Sequence, residues 1–337
     1  MGGDDAPAMV VRGANIARQR YRDARYLLFG DEKRLQPLLA KFRKLRDVCT
    51  IRHTDEVVTA DAKPSAALRG GRQSSMRLAI NAVAEGDAQG VVSAGNTGAL
   101  MAMAKFVLKT LPGIDRPAMA SYMPTLRGET LVLDLGANVE CSAQNLVEFA
   151  VMGEAFARTT RGLVEPSVGI LNVGEEELKG VSAVKEAAAI LSKSGLPIKF
   201  LGFVEGDDIP SGTVDVTVTD GFTGNVALKT AEGTARLYTD FLGQAFRSSW
   251  RTRLGYLMAR PALKQLRLRM DPRRYNGAVF LGLNGVAVKS HGGTDAFGFA
   301  NAIGLAIELA REDINASIRD DLAGLKLEQS AEKAAVG

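Results

Sequence analysis

Short apolar runs alternate along this chain with longer stretches in which apolar residues recur at helical spacing. The runs predict strands at Tyr26–Gly30, Val48–Ile51, Val91-Val92, Met119–Met123, Thr130–Leu133, Val168–Asn172, Ile198–Val204, Val214–Val218, Ala278–Leu281 and Gly285–Lys289. Helices are predicted from about Pro7 to Arg20, over Lys33–Lys44 with Leu35, Leu38, Leu39 and Phe42 inward, and over Lys63–Ala84. Others follow from Ala99 through Ala104, over Asn145–Thr160 and Ser182–Ser194, from Asn225 toward Phe246, and from Asp295 to about Ile318. Thr125–Gly128 has the length of a hairpin connection. Strands alternating with helices in this way predict an α/β fold with a mostly parallel sheet covered by helices on both faces.

Three of the predicted strands end in small polar residues and glycine just before a helix. Ser93, Gly95, Asn96, Thr97 and Gly98 follow Val91-Val92, and Asp220, Gly224 and Asn225 follow Val214–Val218. Lys289, Ser290, His291, Gly292 and Gly293 close the last strand. A helix start presents unpaired N–H groups and the positive end of the helix dipole, and glycine lets backbone approach a ligand closely. In open α/β sheets ligands sit at the carboxyl ends of strands. The expectation is that these ends line one anion-binding crevice; the competing reading is ordinary capped βα turns.

Composition narrows the class. The chain has 337 residues, 46% hydrophobic and 24% charged, enough for a substantial core. No apolar run approaches the ~18 residues of a membrane span. Met1-Gly2-Gly3-Asp4-Asp5 does not read as a signal peptide, and Cys49 and Cys141 form no CxxC pair, so a cytoplasmic location is expected. Arg247 to Arg274 carries nine basic side chains against Asp271 alone, in a chain of net charge +4. Pro261 is expected to break this segment into a helical hairpin, with Trp250, Leu254, Tyr256, Leu257 and Met258 among Arg251, Arg253, Lys264 and Arg267. Such a hairpin suits an anionic membrane surface, an acidic protein, nucleic acid or a second subunit.

Several chemistries are absent. No two glycines stand two apart, so a dinucleotide GxGxxG fingerprint does not occur, and there is neither a P-loop nor a GxSxG elbow. With His53 and His291 as its only histidines, the chain has no His-rich zinc motif. Glu175-Glu176-Glu177 reads as a solvated first turn, and Cys141 as a structural thiol. What remains is His291 as a donor or acid, Lys289 as a point charge for a phosphate oxygen, and Lys185 facing solvent or a substrate anion. Asp4 and Asp134–Asn138 lie at other strand ends.

The motifs Met1–Pro7, Ser93–Gly98, Asp134–Asn138, Asn172–Glu177, Asp220–Asn225 and Val288–Gly293, in this order over nearly the whole chain, resemble the PlsX-type phosphate acyltransferases of bacterial phospholipid synthesis. The resemblance implies one domain over residues 1–322, with a basic insertion near 247–274 and a disordered tail over 323–337. It implies two α/β subdomains with a cleft, similar to isocitrate/isopropylmalate dehydrogenases and phosphotransacetylases, and a homodimer. The implied reaction moves a long-chain fatty acyl group from acyl carrier protein to inorganic phosphate, giving acyl phosphate, with no cofactor and no metal. Attack by phosphate needs a cradle, oxyanion donors and a stabilised thiolate. Phosphate is accordingly expected at Asn96-Thr97-Gly98 and Asn225, and the oxyanion or thiolate at Lys289 and His291. The basic segment is expected to meet acyl carrier protein, an anionic membrane or a membrane acyltransferase, without nucleic acid, making the protein peripherally membrane-associated. Relatives usually carry a short apolar strand ahead of Gly2, so the sheet is expected to lack an edge or inner strand. The rival readings are a phosphotransacetylase-like enzyme using acyl-CoA and a non-enzymatic membrane or nucleic-acid adaptor.

Overall fold

The computed structural model describes residues 1–194, 196 and 198–323. The chain runs α1 (Ala8–Arg20), β1 (Tyr26–Gly30), α2 (Glu32–Leu39), α3 (Arg43–Arg46), β2 (Cys49–His53), α4 (Pro64–Gly70), α5 (Ser75–Ala84), β3 (Gly90–Ser93) and α6 (Thr97–Leu108). It continues through β4 (Ala118–Thr125), β5 (Gly128–Leu133), α7 (Ala143–Arg161), β6 (Ser167–Leu171), α8 (Ser182–Lys193), β7 (Lys199–Val204), α9 (Asp208–Ser211) and β8 (Val216–Val218). Then come α10 (Gly221–Arg247), α11 (Trp250–Arg269), β9 (Ala278–Leu281), β10 (Val286–Lys289) and α12 (Ala296–Arg311). Residues 314–323 are again helical, and 324–337, most of the expected disordered tail, lie outside the described residues.

Local chemistry moved several predicted boundaries. The Lys63–Ala84 pattern divides at Gly70-Gly71, and Ser74 caps α5 by accepting from Arg77 N. The Lys33–Lys44 pattern also divides, into α2 and α3, and the break turns Leu45 into the core beside Leu35 and Leu39. Asp220 caps α10 at Gly221, four residues ahead of the predicted start at Asn225. Pro261 does not break the basic segment, because α11 runs straight through it. No α11 residue is buried, so water can satisfy the carbonyl that proline leaves without a partner. The hairpin therefore consists of α10 and α11, with its apex at Ser248-Ser249, and it begins well before Arg247.

Eight strands form a mostly parallel mixed sheet in the order β3-β10-β9-β4-β5-β8-β6-β7. Among the described residues, β1 and β2 pair only with each other. A cavity of about 90 Å³, lined in part by Met1, Leu28, Phe29, Val92 and Ser93, separates them from β3. The register sets Val92, Val288, Val279, Ala120, Leu133 and Val218 in one cross-strand row. These side chains meet α7, α8 and α12 on one face. The next row, Ser93, Lys289, Ala278, Ser121 and Val132, belongs to the opposite face, where α5, α6 and the first turns of α10 lie. A third core packs α1, α2 and α3 around β1–β2 and against α12.

Candidate active site

The strand ends do not converge on one point. β10 runs parallel to β3, so Lys289 pairs with Ser93 and their loops emerge together. β5 and β8 run the opposite way and lie three and four strands from β10. Asp220–Asn225 therefore gather with Asp134–Asn138, roughly 14–19 Å across the sheet from Lys289 at ~4.8 Å per strand. The single crevice expected from the sequence is two polar groups, and α10 starts at one and passes toward the other.

In the first group the Gly2–Asp4 turn packs against both loops. Asp4 N donates to Gly292 O at 3.0 Å. Only glycine fits at position 2, since a Cβ there would stand 2.5 Å from the Cα of Gly95. Ser93 Oγ accepts from Gly95 N at 3.2 Å. Asn96 Oδ1 caps α6 by accepting from Ala99 N, and its amide donates to the carbonyls of Thr59, Ala60 and Ala62. That side chain is thus fully occupied, which corrects its expected role as a phosphate donor. The first N–H groups of α6, at Thr97 and Gly98, have no partner within the helix.

Lys289 is 9% exposed and forms no ion pair among the described residues. Its ammonium donates to the Ser290 carbonyl. Burial lowers its pKa to about 8; nearby Asp4 opposes the fall and Lys229 adds to it. A buried cation of this kind is a ready-made anion seat. His291 is exposed, and its Nδ1 accepts from Gly293 N at 3.1 Å. This bond selects the tautomer whose Nε2–H is free to donate outward.

In the second group Asp134 is wholly buried. It accepts from the N–H groups of Met119, Gly136, Ala137 and Asn138 and from the Asn138 amide. Burial raises its pKa, against the pull of those donors. Gly224 lets α10 lie directly on Asp134, because a Cβ there would collide with the Asp134 carbonyl. Asn225 donates to Leu135 O at 3.2 Å, and Asp220 holds Thr223 N and Oγ1.

Lys185 is half-buried in the first turn of α8, a helix of the layer opposite Lys289, so the structure does not bring these two lysines together. Arg251, Arg253, Leu254, Tyr256, Leu257, Lys264 and Arg267 all project from α11. The thiols of Cys49 and Cys141 are pushed up to about 12, chiefly by burial, as suits structural groups.

Two residues escaped the sequence reading. Asn276 receives His291 N at 2.9 Å and donates to Ser290 Oγ and Gly298 O, fixing the Lys289–His291 turn. No sequence signal marks it. Lys229 stands close enough to Lys289 to disfavour its charge, beside Leu228 in the core that also holds Ala278, the β9 partner of Lys289. Its spacing of four from Asn225, which places both on one helix face, was a usable signal.

Comparison with known proteins agrees with this architecture. A phosphotransacetylase from Streptococcus pyogenes superposes with a TM-score of 0.60 at 20% identity, over 91% of this chain and 92% of that one. A phosphate acyltransferase from Rhodospirillum rubrum is 64% identical, over 97% of this chain and 94% of its own length. One from Rhodospirillum centenum is 66% identical, over 97% and 92%. The family model described as fatty acid synthesis protein matches residues 1–317. On a match of this length and identity, the chain belongs to the phosphate acyltransferase family of enzymes.

Proposed function

We propose that the protein transfers a long-chain fatty acyl group from acyl carrier protein to inorganic phosphate, supplying acyl phosphate for glycerophospholipid synthesis. The observation that carries this reading is Lys289, a buried ammonium that forms no ion pair among the described residues and pairs in the sheet with Ser93, at the end of the strand that leads into α6. Phosphate is already a nucleophile, so the site needs no serine or cysteine. It would sit on the N–H groups of Thr97 and Gly98 near Ser93 and Gly95, with Lys289 drawing in one of its oxygens.

A phosphate oxygen attacks the thioester carbonyl carbon and forms the C–O bond. The carbonyl electrons move onto oxygen, and Lys289 stabilises that oxyanion. Collapse then breaks the C–S bond, and the His291 Nε2–H stabilises the departing thiolate. The Asp220, Gly224 and Asn225 group is assigned to the acyl donor, whereas Lys185, in the layer opposite Lys289, is assigned no part in the transfer. The α10–α11 hairpin contacts an anionic membrane or partner, and a second copy of the chain completes a homodimer.

The test is acyl phosphate formation, trapped with hydroxylamine, from inorganic phosphate and palmitoyl groups presented on carrier protein or on CoA. Phosphate-dependent product from the carrier donor is the expected result. Product from CoA alone would favour the phosphotransacetylase reading, to which the shared fold lends weight. Folded protein that makes neither product would overturn both.

A further inference from the structure

The basic hairpin is not the only cationic region. Residues 12–46 carry eleven basic side chains against Asp23, Asp31 and Glu32. Four of them, Arg18 in the last turn of α1, Arg22 just beyond it, and Arg43 and Lys44 at the start of α3, line one open concavity of about 810 Å³. Asn15, Gln19 and Phe42 complete the lining, and no carboxylate belongs to it. None of the four cations forms an ion pair among the described residues, whereas Arg311 at the far side of α1 is held by Asp23. Among the described residues Arg18 Nε is buried without a hydrogen-bond partner, and so is the hydroxyl of nearby Tyr26. Four like charges crowded around a hollow repel one another, and such a surface is stabilised when an acidic partner covers it.

We infer that this concavity is the docking site for the acidic face of the acyl carrier protein, a reading that rests on the proposed function. Position supports the assignment as well as charge. α1 begins just after the Gly2–Asp4 turn of the first polar group and ends at the concavity. Its length of about 20 Å separates dock from chemistry. A carrier that presents its thioester on an extended prosthetic arm needs that kind of offset, with the protein held outside and the acyl carbon at Lys289. The hairpin is then left to the membrane.

The test reverses the exposed charges together, as Arg22→Glu, Arg43→Glu and Lys44→Glu, and leaves the partly buried Arg18 intact. The KM for palmitoyl carrier protein should rise at least tenfold, with kcat and the KM for phosphate within twofold of wild type. Fluorescence anisotropy of labelled, unacylated carrier protein should show salt-sensitive binding to wild type and its loss in the triple variant. Arg251→Glu with Arg253→Glu and Lys264→Glu should leave that binding unchanged. An unaltered KM and unaltered carrier binding in the Arg22/Arg43/Lys44 variant would overturn the inference. So would loss of binding to phosphatidylglycerol vesicles with carrier binding intact, which would make the concavity a lipid contact. If wild type binds carrier through this surface yet makes no acyl phosphate from it, the reaction assigned above fails while the dock stands.

Discussion

Replacing Lys289 by methionine should stabilise the fold while abolishing the chemistry. The ammonium is 9% exposed, and burial brings its pKa to about 8 from the usual 10.5. At ~1.4 kcal/mol per tenfold change in proton affinity, the folded protein disfavours the charged form by about 3 kcal/mol. Lys289→Met keeps the stem and removes the charge. It also strips the Ser290 carbonyl of its donor, a loss of about 1 kcal/mol, so the net gain is about 2 kcal/mol. The gain depends on pH with a definite sign. Between pH 8 and 10.5 the folded wild type releases this proton while the unfolded chain retains it, so wild-type stability rises. The advantage of the variant should therefore be complete below pH 8 and disappear by about pH 10.5. Urea unfolding in phosphate-free buffer, at neutral and alkaline pH, measures both. Added phosphate should stabilise wild type and not the variant. Acyl phosphate formation should fall at least a hundredfold, the loss typical of one oxyanion donor. A variant no more stable than wild type at neutral pH, or one retaining turnover, would refute the picture of Lys289 as a strained anion seat.

Other outcomes follow from the same geometry. His291→Ala should lower turnover about a hundredfold, with phosphate affinity nearly unchanged, since its Nε2 is assigned to the leaving thiolate; near-normal turnover would remove that role. Lys229→Met should weaken phosphate binding and move the alkaline limb of the pH–rate profile upward, because a charge that disfavours protonated Lys289 is gone; an unmoved profile would separate the two lysines. Asp134→Ala should cost more than about 3 kcal/mol in chemical denaturation, since it leaves several buried donors unpaired at 1–3 kcal/mol each; a loss under about 1 kcal/mol would mean that other acceptors replace it.

Much of this is legible in the amino-acid sequence. Apolar runs such as Leu131–Leu133 and Val216–Val218 are strands because both sheet faces are buried, so alternation disappears and hydrophobicity alone marks them. Asp295 marks a helix start because a short acceptor side chain beside free N–H groups acts within one turn, while Asp220 and Ser142 cap by the same chemistry a few residues ahead of the starts predicted at Asn225 and Asn145. The Lys289-Ser290-His291-Gly292-Gly293 turn was readable for the same reason: its chemistry and its flexibility lie within five consecutive residues. Pro261 misled because the penalty for proline in a helix depends on whether water reaches the freed carbonyl, and exposure is a tertiary property.

The sequence by itself determined the elements, the α/β class and the residue types able to seat an anion, since these depend on neighbours within a turn or two of chain. Only the tertiary structure decided which of them meet. Strand direction set Lys289 beside Ser93 and parted both from Asn225, a consequence of ladder pairing between segments far apart in sequence. It consumed Asn96 in holding the loop near Thr59 and brought Asn276 and Lys229 to the site. It also gathered Arg18, Arg22, Arg43 and Lys44 around one hollow. Burial, which makes Lys289 costly as a free cation and useful as a phosphate partner, comes from every layer packed around it.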